Sequence, residues 1–249
     1  MKSLKLLSIA LITSVFLTAC LAPPAVETPM PKQFYDNDDG RNEELIIFLH
    51  GRGDDLGVFE REGFFDNVSR NADFISLGSH LGYYVNGLLG ERVYSEVLEP
   101  YLEKGYERFI VVGTSLGGFG ALWVNSEHDE LITAAVLIAP YLGRKPVIKE
   151  IQASESLHSW REQLEEEPSP GQQAWIWVDE LAQGENNKPL ILAYGEKDGF
   201  SRAAGLLSEN LPELQVFTND GGHNWKTWLK LWNDINASPG WQELPDGVE

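Results

Sequence analysis

Ser115 lies in Gly113-Thr114-Ser115-Leu116-Gly117, a serine flanked by glycines at two positions on either side. A serine hydroxyl is a poor nucleophile at neutral pH and needs a general base, so the pentapeptide has meaning only if a histidine can reach it. Of the five histidines, His223 is placed best. It stands in Asp220-Gly221-Gly222-His223-Asn224-Trp225, where two glycines make room for an imidazole in a loop. His128 and His158 sit in polar helical stretches and read as solvated; His80 reads as a possible substrate contact or nothing. A base of this kind is held in the right tautomer by an acid. Asp198, in Tyr194-Gly195-Glu196-Lys197-Asp198-Gly199, has the expected place, with Glu196 as a competitor and Asp220 as a weaker one. The chemistry these three allow is acyl transfer through an acyl-enzyme. It also requires donors for the oxyanion: the backbone N–H of Leu116 is one, and the tight loop His50-Gly51-Arg52-Gly53-Asp54 offers Arg52, with Gly53 as the alternative. The Arg52 side chain is expected to be solvated or paired with Asp54 or Asp55 rather than to meet substrate.

These residues need elements to hold them, and the apolar pattern supplies a coherent set. Short, mostly apolar runs are expected as strands at Leu45–Leu49, Asp73–Leu77, Phe109–Val112, Ala134–Ile138, Leu190–Ala193 and Gln215–Phe217, as in buried parallel strands. Helical spacing recurs from Glu91 to Lys104, from Leu116 towards Asn125, and from near Trp225 through Trp228, Leu229, Leu231 and Trp232. Strands alternating with helices predict a mostly parallel sheet with helices on both faces. Ser115 then follows a strand and opens a helix, Asp198 follows the next-to-last strand, and His223 follows the last. The order Ser, Asp, His is the one a strand-to-helix nucleophile turn imposes in such a sheet.

Gly143 to Asn187 breaks the alternation with Glu165-Glu166-Glu167, Pro168-Ser169-Pro170-Gly171 and three tryptophans, Trp160, Trp175 and Trp177. It is expected to form either a small cap over the carboxyl ends of the strands or a surface helical excursion. Tyr83, Tyr84, Trp225 and these tryptophans could line an acyl or aromatic pocket near His50 and Gly51, although aromatics at such spacings are more often core.

The whole pattern resembles the α/β-hydrolase superfamily. His50-Gly51-Arg52-Gly53-Asp54 is similar to the HGxGD loop of its carboxylesterases and acyl thioesterases. Tyr84-Val85-Asn86, Glu96 to Glu103, Gly113 to Leu122 and Gly221 to Trp225 resemble the esterase D and feruloyl-esterase group. The resemblance implies an α/β-hydrolase fold, Ser115 as nucleophile, Asp198 as acid, His223 as base, an ester or other acyl substrate, and no metal or organic cofactor. An acyltransferase, thioesterase or peptidase could use the same three residues, and a non-catalytic envelope protein could keep the fold as a binding module.

With 249 residues, the chain can bury one substantial core. Its formal charge of −19 repels phosphate backbones, so nucleic acid is not an expected partner. Lys2 and Lys5 precede an apolar run from Leu6 to Leu17, the pattern of an export signal. That run ends in Leu17-Thr18-Ala19-Cys20, which resembles the lipobox of bacterial lipoproteins, and Cys20 is the single cysteine. Residues 1–19 are therefore expected to be a signal peptide, 20–42 a lipidated, proline-rich tether, and 43–249 the catalytic domain, with the insertion at about 143–187. The expected location is the bacterial cell envelope, anchored to the membrane through a lipid on Cys20; Leu21, rather than aspartate, after the cysteine favours the outer membrane. Oligomeric state is not legible.

Overall fold

The computed structural model describes residues 24–37, 42–66, 68–164, 167–184, 189–211 and 214–244. The residues expected to form an export signal, and Cys20, lie outside the described residues. Seven strands form one sheet in the order β1-β3-β2-β4-β5-β6-β7: β1 (Lys32–Tyr35), β2 (Glu44–Leu49), β3 (Asp73–Leu77), β4 (Arg108–Thr114), β5 (Ile132–Ile138), β6 (Leu190–Gly195) and β7 (Gln215–Asn219). All neighbours are parallel except β1, which runs antiparallel to β3. The six expected strands are present; β3 has the expected bounds and the other five run slightly beyond theirs.

Strand periodicity divides the side chains between two cores. Leu45, Ile47 and Leu49 of β2 enter one face, and Ile46 and Phe48 enter the other; Phe109 and Val111 of β4 oppose Ile110 and Val112 in the same way. Residues buried on both faces explain why the runs are continuously apolar rather than alternating. On the first face lie α2 (Leu81–Val85), α5 (Leu116–Glu127), α8 (Pro170–Ala182) and α9 (Ser201–Asn210). On the second lie α1 (Val58–Arg61), α10 (Trp225–Asn236) and α11 (Pro239–Gln242). In α10 the spacing of Trp228, Leu231, Trp232 and Ile235 makes one buried stripe, and the Asn224 side chain caps its start by accepting from Thr227 N–H.

Three expectations are corrected. The segment expected to be a tether up to residue 42 enters the fold much earlier: β1 completes the sheet, Met30 is buried, and the Met30 N–H donates to Glu96 Oε2 at 2.6 Å. The helix expected from Glu91 to Lys104 runs without interruption from Leu89 to Glu103 but is not uniformly α: α3 (Leu89–Val93) passes through a π turn (Tyr94–Leu98) into α4 (Glu99–Glu103). Pro100 explains the π turn, because it has no N–H to give the Glu96 carbonyl; Lys32 Nζ takes that carbonyl instead, at 2.7 Å. The Trp-rich insertion divides. α6 (Lys145–Ala153) and α7 (Leu157–Glu162) form the excursion. α8 is no cap but the crossover helix before β6: Trp175 is fully buried with its indole N–H on the Leu142 carbonyl at 2.8 Å, and Trp177 stacks on Phe119 of α5.

Candidate active site

The chain leaves β2 to build β3 on one side, then crosses back to build β4 on the other. Such a reversal leaves a crevice at the carboxyl ends of the two adjacent strands. Register pairs Leu49 of β2 with Gly113 of β4, so the His50–Asp54 loop and Ser115 emerge side by side; a Cβ on Gly51 would lie 3.4 Å from the Ser115 Cβ.

Ser115 occupies the turn between β4 and α5 with φ 54° and ψ −112°, a backbone conformation that costs about 1–3 kcal/mol for a non-glycine residue and must be imposed by its surroundings. Here its N–H donates to the Ile138 carbonyl at 2.9 Å, and its own carbonyl accepts from Gly118, Phe119 and Tyr141. The flanking glycines are steric necessities. A Cβ on Gly113 would meet the Gly117 carbonyl oxygen at 1.9 Å, and one on Gly117 would meet the Leu49 carbonyl oxygen at 1.9 Å. Strand and helix backbones are thus in direct contact, and the turn can be sharp.

His223 Nε2 lies 2.9 Å from Ser115 Oγ, and His223 Nδ1 lies 2.7 Å from Asp198 Oδ2. Of the three acids considered for this place, Asp198 takes it. Glu196 is exposed, and Asp220 faces Lys197 at 3.5 Å on the surface. The Asp198 carboxylate is buried, with Oδ1 accepting from Phe200 N–H at 2.8 Å. A buried carboxylate only accepts, so His223 Nδ1 carries the proton and Nε2 is left basic towards the serine. The acid and histidine loops are tied together by Glu196 N–H to the Asn219 carbonyl and Lys197 N–H to the Gly221 carbonyl. The edges of Phe200 and Trp228 pack against the imidazole, with ring centroids at 4.9 and 4.8 Å. Sequence spacing did not single out these two as neighbours of His223.

The oxyanion candidates are adjacent. Leu116 opens α5, where the first N–H groups have no partner within the helix. The Gly51–Asp54 turn is closed by Asp54 N–H to the Gly51 carbonyl at 3.3 Å, which uses neither the Arg52 nor the Gly53 amide; Gly53, at φ 89°, has the left-handed conformation a type II turn requires at its third position. The Arg52 side chain is exposed, and Asp55 is taken by Arg61. His50 is buried, and burial holds its pKa below the usual value. Its Nδ1 faces the Gly51 carbonyl at 2.8 Å and is therefore the protonated nitrogen. Burial pushes the Asp54 carboxyl up, while the Trp225 indole N–H, donating at 3.4 Å, opposes that. Trp225 is half-buried between this loop and the aromatic cluster of Phe59, Phe64 and Trp228.

Tyr83 and Tyr84, expected near the substrate, are core residues instead. Tyr83 is fully buried with its hydroxyl on the Glu27 carbonyl at 2.9 Å, and the Tyr84 hydroxyl packs against Gly120. Trp160, Trp175 and Trp177 are likewise buried. His80 caps α2 by accepting from Gly82 N–H. His158 is exposed, as expected, with Nδ1 beside Asp179, whereas His128 is half-buried with Nε2 on the Gly90 carbonyl. Among the described residues no His, Cys, Asp or Glu cluster has the arrangement of a metal site.

The sheet order, the strained serine turn and the late-strand acid and histidine loops together define an α/β-hydrolase. The family described as "Putative esterase" matches residues 93–237, more than half of the chain, and the protein belongs to that family of ester-cleaving hydrolases. Among solved structures, the S-formylglutathione hydrolase of Staphylococcus aureus superposes with a TM-score of 0.57 at 15% identity, covering 78% of this chain and 80% of that one. Est1E of Butyrivibrio proteoclasticus gives 0.57 at 14% identity, covering 83% and 91%. A fluorophosphonate-binding serine hydrolase of Staphylococcus aureus gives 0.56 at 14% identity, covering 86% and 98%. No curated protein matches the chain in sequence.

Proposed function

We propose that the protein is a serine esterase that cleaves carboxylic esters through an acyl-enzyme on Ser115. The observation that carries this reading is the continuous relay from Ser115 Oγ to His223 at 2.9 Å and on to Asp198 at 2.7 Å, with the serine held at a positive φ at the mouth of the sheet crevice. His223 Nε2 takes the hydroxyl proton as Oγ attacks the ester carbonyl. The buried Asp198 carboxylate stabilises the imidazolium that forms, and the N–H groups of Leu116 and Arg52 hold the tetrahedral oxyanion. The imidazolium then returns its proton to the departing alcohol. Water, deprotonated by the same nitrogen, attacks the acyl-enzyme; the ester bond to Oγ breaks, Oγ takes the proton back from the imidazolium, and the carboxylic acid leaves. The substrate is a small acyl ester; the crystallised Est1E has been seen with ferulic acid bound.

The test is Ser115→Ala assayed on a short 4-nitrophenyl ester and with a fluorophosphonate probe. Hydrolysis is expected to fall by at least about 10⁴-fold, as when the nucleophile of such a set is removed, and labelling to disappear while the fold persists. Activity retained within ten-fold would end the assignment.

We also propose that export and acylation of Cys20 place this domain at a bacterial membrane surface. The charge-then-apolar leader and the position of the single cysteine support this. No helix among the described residues is long and apolar enough to cross a membrane.

A further inference from the structure

A cleft of about 750 Å³ opens between the segment from Tyr141 to Lys149 and the segment from Gly199 to Ala203. It shares two walls with the site already described. The Tyr141 N–H donates to the Ser115 carbonyl at 2.9 Å, and the Phe200 ring lies edge-on to His223 and to Tyr141. The floor is apolar, made by Tyr141, Phe200 and the buried Ile148, but the rim carries four cations, Arg144, Lys145, Lys149 and Arg202, and no aspartate or glutamate lines it.

That distribution is unexpected in a chain with 38 acidic and 19 basic residues. Among the described residues five of the six arginines outside this cleft are paired, Arg61 with Asp55, Arg92 with Glu96, Arg161 with Asp179 and Glu180, and both Arg70 and Arg108 with Glu44; Arg52 is exposed beside Ser115. Among the described residues none of the four rim cations forms an ion pair; Arg202 has only the neutral Gln152 as a hydrogen-bond partner. The nine-residue helix α6 also begins at this rim, and its N-cap, Arg144, supplies no side-chain cap, so the positive end of the helix adds to the same field. A cleft lined by one sign of charge concentrates the opposite sign.

We propose that this cleft binds the anionic end of the substrate, a carboxylate or phosphate carried on the same molecule as the ester that Ser115 attacks. The inference rests on the esterase reading of Ser115. Arg144 follows Tyr141 by three residues and Arg202 follows Phe200 by two, so the backbones of both arginines lie within roughly 10 Å, the reach of three extended residues, of the two residues that contact Ser115 and His223. The organic part of the substrate lies over Tyr141, Phe200 and Ile148, with its ester at Ser115 Oγ and its charge at the rim.

The experiment compares kcat/KM of the full chain on mono-4-nitrophenyl adipate, whose far end is a carboxylate, with its methyl-capped neutral counterpart, and on 4-nitrophenyl 5-phosphonopentanoate. The anionic esters are expected to be preferred by about ten-fold or more at low ionic strength, mainly through KM, with the preference shrinking as salt is added. The larger preference of the two distinguishes a carboxylate from a phosphate ligand. In the variant carrying Arg144→Gln, Lys145→Gln, Lys149→Gln and Arg202→Gln, the anionic-to-neutral ratio is expected to fall to about one. The ratio is internal to each preparation, so partial misfolding does not mimic the effect. Equal use of charged and neutral esters by the unmodified protein, or a preference that survives in the variant, overturns the proposal. Hydrolysis of none of the three, with no fluorophosphonate labelling, overturns the esterase reading and this inference with it.

Discussion

Replacing Asp198 by Asn is the most informative single change under the proposed mechanism, because the structure dictates how the new side chain must lie. Oδ1 accepts from the Phe200 N–H, which can only donate, and Oδ2 accepts from His223 Nδ1. An asparagine has one acceptor oxygen, and the Phe200 N–H claims it; the amide NH2 is then turned towards Nδ1. An NH2 group there is satisfied only if Nδ1 is unprotonated, which moves the imidazole proton to Nε2, the nitrogen that faces Ser115. The ring becomes a donor where a base is needed. The stabilisation of the imidazolium is lost as well: two unit charges about 4 Å apart at an effective dielectric of about 20 attract by about 4 kcal/mol, which is about 10³-fold in rate. With the tautomer change added, kcat/KM on a short 4-nitrophenyl ester is expected to fall by about 10³–10⁴-fold. The loss should lie in kcat, and fluorophosphonate labelling should slow in parallel. Because Asn fills the same volume and keeps the Phe200 bond, the thermal midpoint should move by no more than a few degrees. A loss smaller than about ten-fold, or one confined to KM, would refute the argument.

Three further outcomes are expected. Gly113→Ala places a methyl against the Gly117 backbone and should cost about 3 kcal/mol or more in urea unfolding, whereas Gly199→Ala, with nothing within 4 Å, should change stability by less than about 0.5 kcal/mol; equal stability of the two variants would contradict the close-contact account. Burial lowers the His50 pKa in the folded state, so below the unfolded value of about 6.5 the unfolded chain binds the extra proton first. Stability is therefore complete above about pH 6.5 and is lost as pH falls through the range beneath it. Asp54, pushed upward by burial, acts in the opposite sense but only in the carboxylate range. Denaturant midpoints that stay flat from pH 7 to 5 would contradict the His50 term, and His50→Gln should lessen the slope. Finally, cells fed labelled palmitate should incorporate it into the unmodified chain and not into Cys20→Ser; label retained in that variant would remove the anchor.

Much of the sheet is legible because each parallel strand is buried on both faces and so appears as an unbroken apolar run, as Ile46 to Leu49 and Phe109 to Val112 do. The candidate site is legible for a related reason. Ser115, Asp198 and His223 each sit just past a strand, so finding the strands nearly finds them, and the glycines at 113 and 117 record a backbone contact that no larger residue could tolerate. Two misreadings have one cause. The prolines at 23, 24, 29 and 31 suggest a tether, yet Met30 and Glu96 lock that segment onto the fold, and Lys32–Tyr35, an edge strand exposed at its first three residues, offers only Phe34 and Tyr35 as an apolar signal. The same segment covers the Tyr83 hydroxyl through Glu27, which is why a tyrosine expected beside the substrate is core. Aromatic spacing reveals that a face is buried but not what buries it. For the same reason the spacing of Trp175 and Trp177 fits a cap or a surface helical excursion equally well, and only the packing of α8 against α5 makes it a crossover helix. The contacts of His223 with Phe200 and Trp228 depend on how three loops meet, information that no local pattern carries.

The pairing of β1 with β3, from Lys32 opposite Leu77 to Tyr35 opposite Phe74, also bears on how the protein behaves in company. Without those four residues β3 would present a free row of amides and carbonyls beside Phe74, Ile75 and Leu77, an invitation to another chain's strand. With them, the rim of the sheet is a short strand, exposed at Lys32 and Gln33, and an edge lysine is the kind of side chain that discourages further addition. The β1 strand is thus placed to guard the sheet edge against aggregation. A truncated chain starting at Asn42 would retain every residue of the candidate site, and its characteristic failure would be self-association rather than loss of chemistry.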